Sequence, residues 1–409
     1  MFTKRLGPCL LALFALLTLV YQQPAEGYRS LPKEIYHQAW QLVRDNYFDS
    51  SFNGQAWSAW EHKYDGDLRT VDDAHKAIKA MLDSLKDPYT RFLDPQAFKD
   101  ENDAIDAKIV GIGINLLQKD NKLIITKTID NSPAALSGLQ ERDEIVGIDT
   151  FNAVGYTPEQ AAEKIRGKAG SPVTITVKRA GLAQPKMIRI TRAEIIIHAV
   201  SYRILDHNIG YIQLSTFISN DAAREFRTAL EKLNKTDGLI IDLRDNPGGL
   251  LSNSLEIADM LLENGVIVST VGRHGKNTDM ASGMPMTHQP IAVLVDEESA
   301  SASEILAGAL QDNARGVIIG TRTYGKGLVQ EINRLPGGAA LHITVSRYLT
   351  PAGTDINKKG ILPDIQVSDR EQQKNVAVAY LKEKIASAKQ PFKTSSLPRS
   401  MASSAAGAR

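Results

Sequence analysis

The stretch Ile291-Ala292-Val293-Leu294-Val295, followed closely by Ser299-Ala300-Ser301-Ala302-Ser303-Glu304, decides how this chain is read. An unbroken apolar run of this length reads as a buried strand. Small residues then turn the chain, and Ala302 to Gln311 carries a helical pattern. The same alternation extends to both sides. Ile209 to Leu214 reads as a strand, Asp221 to Leu233 as a helix, Gly238 to Leu243 as a buried strand and Asn253 to Leu262 as a helix. Gly316 to Gly320 adds one more strand. Strands and helices in this order predict an α/β core with a mostly parallel sheet.

The corner at Ser301 has two readings. With Glu304 three residues on, it is a capping box, the ordinary role of a serine at a helix start. The same geometry exposes a hydroxyl at the carboxyl end of a sheet. It also sets the hydroxyl beside the free N–H groups and positive potential of a helix N-terminus, which suit a developing oxyanion. The second reading needs a base from elsewhere in the chain.

Lys326, between Gly325 and Gly327, is the candidate. A solvated lysine in a Gly-rich turn would have a pKa of roughly 10.4. Burial without a carboxylate partner lowers that value and frees the amine to accept a proton. The local sequence offers no acid until Glu331. Gln330 lies on the same face if the segment is extended, but at ~13 Å along a regular strand. A kink at Gly327 is therefore required before Gln330 can orient the amine. Asp245-Asn246-Pro247-Gly248-Gly249 follows the buried strand ending at Leu243, so it falls at the same sheet edge as Ser301. It is a turn signal, and its paired glycines also suit a bare N–H aimed into a cleft.

Other chemistries fit poorly. Gly320-Thr321-Arg322-Thr323-Tyr324-Gly325-Lys326 matches the start of a phosphate-binding loop, but Gly327 replaces the required Ser or Thr and a strand pattern replaces the helix. His198, His207, His274 and His288 are scattered, with no His-Glu-x-x-His and no close pair, so no metal site is expected; a Ser-His-Asp triad stays open, though no Gly-x-Ser-x-Gly elbow marks one. The single cysteine, Cys9, excludes a disulfide framework and a cysteine-based metal site. A net charge of +1 gives no global field for nucleic acid.

A chain of 409 residues, 43% hydrophobic and 23% charged, has room for two or three domains. Residues 1–27 have the layout of a secretory signal peptide. Lys4 and Arg5 precede the apolar run Cys9 to Val20, and Pro24-Ala25-Glu26-Gly27 offers small residues for cleavage. That run is short against the roughly 20 residues of a membrane span, and a short uncleaved anchor is the alternative. The expected location is extracytoplasmic, in the periplasm or secreted, with membrane contact only through this segment.

Residues 28–98 read as a helical region that ends in the turn-rich connector Asp87-Pro88-Tyr89-Thr90-Arg91-Phe92-Leu93-Asp94-Pro95. Residues 99–184 resemble a PDZ domain of the permuted bacterial kind. Gly111-Ile112-Gly113-Ile114 matches the loop whose backbone N–H groups hold a peptide's terminal carboxylate. Physically, such a domain adds a C-terminal peptide to a sheet edge as one more strand. Residues 185–370 hold the α/β core, and 371–409 a last helix to about Ala386 and a Ser-, Ala- and Lys-rich tail expected to be disordered.

Together these blocks resemble the C-terminal processing peptidases (tail-specific proteases) from about Leu31 to Val367. The hallmarks are Ser-Ala-Ser-Ala-Ser-Glu-Ile from Ser299, Tyr-Gly-Lys-Gly-Leu-Val-Gln from Tyr324, and Leu-Arg-Asp-Asn-Pro-Gly-Gly from Leu243. Asp87 to Pro95 and Asn357-Lys358-Lys359-Gly360-Ile361-Leu362-Pro363-Asp364 complete the set. The resemblance implies a multidomain α/β serine endopeptidase with an N-terminal helical segment, a permuted PDZ domain and a protease core. It implies Ser301 as nucleophile, Lys326 as general base and Gln330 as the residue orienting the lysine. The N–H groups of Ala302 and of Gly248 or Gly249 would form the oxyanion hole. Asp312 matches an aspartate sometimes counted with this set. A carboxylate beside Lys326 would keep it charged, so a structural role at the helix end is expected of Asp312.

The implied partners are proteins or peptides with free, apolar C-termini, captured at Gly111, Ile112, Gly113 and Ile114. Arg166 would sense the carboxylate and gate the protease. An adaptor or a second copy of the chain is a further partner, and no cofactor is expected. The alternatives are a non-catalytic PDZ scaffold on a protease-like fold, or a carrier of apolar ligands with no need for Lys326.

Overall fold

The computed structural model of the chain describes residues 32–106, 108–129, 131–196 and 198–389. The expected targeting segment and the far end of the tail lie outside these residues. Among the described residues no helix is long and apolar enough to cross a membrane.

The N-terminal region is built from helices α1 (Pro32–Asn46) and α2 (Val71–Asp83). Thr70 starts α2 with a capping box: its hydroxyl accepts the Asp73 N–H while the Asp73 carboxylate accepts the Thr70 N–H. Ile35, Trp40, Ile78 and Met81 bury their apolar face against Leu341 and Ile343 of the strand Ala340–Leu349. Each such side chain contributes roughly 1.5–3 kcal/mol by burial, so this region packs as part of the α/β body. Helix α3 (Pro95–Ile105), capped by Asp94, then leads toward the next unit.

A two-stranded antiparallel ribbon, Lys108–Gly111 against Ala193–Ile196, carries both connections to the PDZ domain. Inside it the strands Ile114–Lys119, Lys122–Thr128, Glu144–Ile148, Pro172–Lys178 and Lys186–Thr191 pair antiparallel in that order. Helices α4 (Pro133–Ser137) and α5 (Pro158–Ile165) flank the sheet. Gly138 ends α4 at φ 83°, a conformation that favours glycine. Alternating residues such as Val173, Ile175 and Val177 fill a core separate from that of the α/β body.

The α/β body has a six-stranded sheet in the order Val200–Leu205, Ile209–Leu214, Gly238–Asp242, Ile291–Val295, Gly316–Gly320, Ile365–Gln366. Only the first pairing is antiparallel. Every residue of Gly238–Asp242 and Ile291–Val295 is buried, because helices cover both faces. Helices α6 (Ala222–Lys232), α7 (Leu251–Leu261) and α8 (Ala302–Asp312) lie on one face. Helix α9 (Arg370–Lys389) packs Ala377 and Leu381 on the other.

A second sheet was not foreseen. Arg91–Leu93, Val266–Gly272, Gly275–Met280, Leu328–Arg334 and Ala340–Leu349 pair entirely antiparallel. The body as a whole is therefore mixed rather than mostly parallel. Of the second sheet's strands, Leu328–Arg334 shows alternation in the sequence, but Arg91–Leu93 is too short and Gly275–Met280 too polar to read as core strands in isolation.

Candidate active site

Ser301 sits where Ile291–Val295 gives way to α8, at the carboxyl edge of the parallel strands, the edge at which open α/β sheets bind ligands. Its backbone has φ 55° and ψ −113°, a conformation that costs a non-glycine residue on the order of 1–3 kcal/mol. The loop pays for this strain through contacts beneath it. Asn246 O accepts the Ala300 N–H at 3.0 Å and the Ser303 hydroxyl at 2.9 Å, and Leu243 O accepts the Ser299 hydroxyl at 2.8 Å.

Glu304 holds the serine and lysine segments together. It is fully buried and accepts four hydrogen bonds. Oε2 accepts the N–H of Ser301 at 2.8 Å and of Lys326 at 2.9 Å. Oε1 accepts the Gly325 N–H at 2.7 Å and the Thr323 hydroxyl at 2.5 Å. The Tyr348 hydroxyl, also buried, lies 2.6 Å from the Lys326 carbonyl and 3.1 Å from that of Ser301. Read from sequence, Glu304 is only half of a capping box. Its second use depends on a segment that reaches it only through the fold.

Ser301, Ala302, Gly248, Gly249, Lys326 and Gln330 all line one cleft of about 400 Å³. Lys326 has no hydrogen-bond or ion-pair partner for its amine among the described residues. The amine lies 4.9 Å from the centroid of the Tyr89 ring. Burial pushes its pKa below the usual lysine value, helped by the Arg91 cation and opposed by Glu101, Asp87 and Glu304. The local sequence shows none of these acids beside the lysine, because all arrive from distant segments.

The strand Leu328–Arg334 has a bulge between Val329 and Gln330, which supplies the irregularity expected nearer Gly327. It brings Gln330 into the cleft but not onto the lysine. The Gln330 Nε2 is buried without a hydrogen-bond partner among the described residues. A buried amide left unpaired costs on the order of 1–3 kcal/mol, so Gln330 keeps a free donor inside the cleft at the expense of stability.

Gly248 has φ 95°, and a Cβ there would come within 2.6 Å of Ala300 O and 2.9 Å of Ala302 N. No other residue fits this contact with the serine loop. The Gly248 N–H itself donates to Asn246 Oδ1 at 2.9 Å, so in this conformation it is already engaged. Gly249, at φ 146°, leaves still less room for a Cβ, against the backbone of Phe217 and Ile218. Asp312 lies at the far end of α8, outside the cleft, where its carboxylate accepts the Ala352 N–H at 2.8 Å.

Sequence reasoning missed three further cleft residues. His342 Nε2 lies 2.8 Å from Glu101 Oε1, and Arg91 is 3.5 Å from the same carboxylate. The His342 hydrogen bond holds the Glu101 carboxyl below its usual range. These residues come from the strand Ala340–Leu349, α3 and the connector, and no local spacing links them.

The peptide-binding candidates form a separate site. Gly111, Ile112, Gly113 and Ile114 line an apolar cavity of about 180 Å³ with Ala162, Ile165 and Arg166. Gly113 adopts φ 82° against Ser132. Arg166 follows the last residue of α5, and its guanidinium is 3.1 Å from Asp100 on α3. It therefore touches both the PDZ cavity and the helix leading to the protease body.

Comparison with known proteins agrees with this architecture. Residues 208–367 match the model of peptidase family S41, residues 124–179 that of a PDZ domain, and residues 31–75 that of the tricorn protease C1 domain. A carboxyl-terminal-processing protease of Picosynechococcus is 39% identical over 375 residues, covering 89% of this chain and 90% of its own. A carboxy-terminal-processing protease of Bartonella bacilliformis is 40% identical over 310 residues, 73% of this chain and 71% of its own. The solved photosystem II D1 C-terminal processing protease is 30% identical, with a TM-score of 0.58 over 85% of this chain and 97% of that one. The chain belongs to peptidase family S41 and is a serine-type carboxyl-terminal-processing protease with a PDZ domain.

Proposed function

We propose that the chain cleaves extracytoplasmic proteins from their C-terminal tails with a Ser301–Lys326 dyad. The observation that carries this reading is the Lys326 amine, half-buried in the same cleft as Ser301 with no hydrogen-bond or ion-pair partner among the described residues. The neutral amine takes the Ser301 proton as Oγ attacks the scissile carbonyl. The oxyanion forms against the Ala302 N–H and that of Gly249, or of Gly248 once Asn246 releases it. The lysine then gives its proton to the departing amine, and water hydrolyses the acyl-enzyme by the same path. Gln330 orients the lysine once the substrate closes the cleft. The PDZ cavity takes an apolar C-terminus, with Arg166 as its carboxylate sensor. The signal-like segment at 1–27 supports export.

A peptide with a free apolar C-terminus, incubated with wild type, Ser301→Ala and Lys326→Ala, tests the dyad. Equal cleavage by all three would sink it. The His342–Glu101 pair favours a second reading, a serine–histidine–carboxylate arrangement. No hydrogen bond joins Ser301 to either base among the described residues; the lysine is preferred because its amine is unpartnered there, whereas His342 Nε2 is engaged by Glu101. Adding His342→Ala to the series separates the two: the dyad keeps turnover in that variant and loses it in Lys326→Ala.

A further inference from the structure

The two loops that meet at the cleft are fastened from below by a residue of the C-terminal helix. Arg370, the first residue of α9, donates from Nη1 to Asp245 Oδ1 at 2.8 Å and from Nη2 to Asp245 Oδ2 at 2.5 Å. The same Nη1 reaches Asp296 Oδ2 at 3.0 Å. Asp245 precedes Asn246-Pro247-Gly248-Gly249, and Asp296 begins the loop that ends at Ser301. Asp296 is buried, and its carboxylate also accepts the Asp245 N–H at 3.1 Å and the Glu298 N–H at 3.2 Å. One guanidinium thus bridges the bases of both loops.

The placement runs against local preference. A cation at a helix N-terminus faces the positive end of the macrodipole, and it is tolerated only where something else compensates. Asp245 itself is at φ 59°, a left-handed conformation that aspartate adopts more readily than most residues. Beside them Arg244, paired with the buried Asp242, donates to Arg370 O at 2.8 Å and to Gln373 at 3.2 Å. The start of α9 is therefore tied to the sheet edge through side chain and backbone alike. The Gly248–Ala302 contact above depends on how the two loops register, and a shift there moves the oxyanion donors.

We propose that Arg370 is a positioning residue for the peptidase reaction. By clamping Asp245 and Asp296 it holds the glycine loop and the serine loop in register, so that turnover depends on the docked C-terminal helix. This rests on the Ser301 reading given above. The lever is geometric: misplacing a reacting group by about 1 Å costs on the order of a hundredfold in rate.

The test uses the full-length chain and a fluorogenic peptide ending in a free apolar residue. Arg370→Gln should lower kcat by roughly tenfold to a hundredfold with KM unchanged. Labelling of Ser301 by a fluorophosphonate should slow in parallel, while cooperative unfolding is retained. Asp245→Asn should reproduce the loss without touching the helix, and the double variant should be no worse than the poorer single one. Arg370→Lys should recover part of the rate, because one ammonium cannot span two carboxylates as the fork does. Lys374→Gln, the same charge change further along α9, should behave as wild type. Wild-type kcat in Arg370→Gln, or additive losses in the double variant, overturns the clamp. If Ser301→Ala stays active, the dyad reading fails instead.

Discussion

The Lys326 amine rests 4.9 Å from the centroid of the Tyr89 ring, inside the cleft that Ser301 also lines. The ring does two opposite things. Its face stabilises the ammonium by about 0.5–2 kcal/mol, and its bulk keeps water away from it. Burial is the larger influence on this lysine. Replacing Tyr89 by Ala should therefore raise the lysine's pKa and move the acid limb of the kcat/KM profile to higher pH. Tyr89→Phe, which keeps the ring, should leave the profile in place. An Ala profile that overlays wild type would show that the ring does not shield the base.

The lowered pKa of Lys326 also fixes the sign of two pH effects. As the base it must be neutral, so activity should rise with pH through the folded-state value. In the window between that value and the unfolded one, the unfolded chain holds the extra proton, so stability rises with pH there. Below the window the buried charge is a net burden. Lys326→Met should abolish turnover yet stabilise the fold at neutral pH by about 1 kcal/mol, as relief of a functional site often does. Urea unfolding at neutral pH checks this, and a destabilised variant would contradict it.

Glu304 to Gln exchanges an acceptor of four hydrogen bonds for a group that carries its own donors. At least one N–H is then left facing an NH2. The expected cost is about 2–4 kcal/mol in stability, with loss of turnover larger than the fold's loss explains. Measured kcat at a temperature where the variant is fully folded separates the two effects.

Gly248→Ala forces a Cβ to within 2.6 Å of the Ala300 carbonyl. We expect kcat to fall on the order of a hundredfold, the scale of losing one oxyanion donor. Substrate binding, measured in the Ser301→Ala background, should change little. A weaker Kd with unaltered kcat would place Gly248 in binding instead.

Arg166→Ala breaks the 3.1 Å pair with Asp100 and removes the cation from the PDZ cavity. Turnover of peptides with a free C-terminus should drop, while that of amidated peptides should not. Equal effects on both would end the sensor proposal.

The parallel core was legible in the sequence because buried strands such as Leu239-Ile240-Ile241 and Ile291–Val295 are continuous apolar runs bounded by turn residues. Ser301 and Lys326 were legible for a similar reason: each sits in a distinctive small-residue or glycine frame. Glu101, Arg91 and His342 were not. Each looks like an ordinary surface charge in its own segment, and only packing of α3 and the second sheet brings them to the cleft. The bulge at Gln330 is equally silent, since it arises from register against Ser346 and Thr344.

The ribbon of Lys108–Gly111 and Ala193–Ile196 has one more implication. Gly111 and Ala193 are direct cross-strand partners, so the chain leaves the protease body and returns to it at a single point. A tight turn joining those two positions would close a hairpin and leave the body's chain path intact. The PDZ domain is, in this sense, a separable insert. Exchange of one PDZ domain for another at this junction gives a route by which recognition can diversify while the hydrolytic machinery stays fixed.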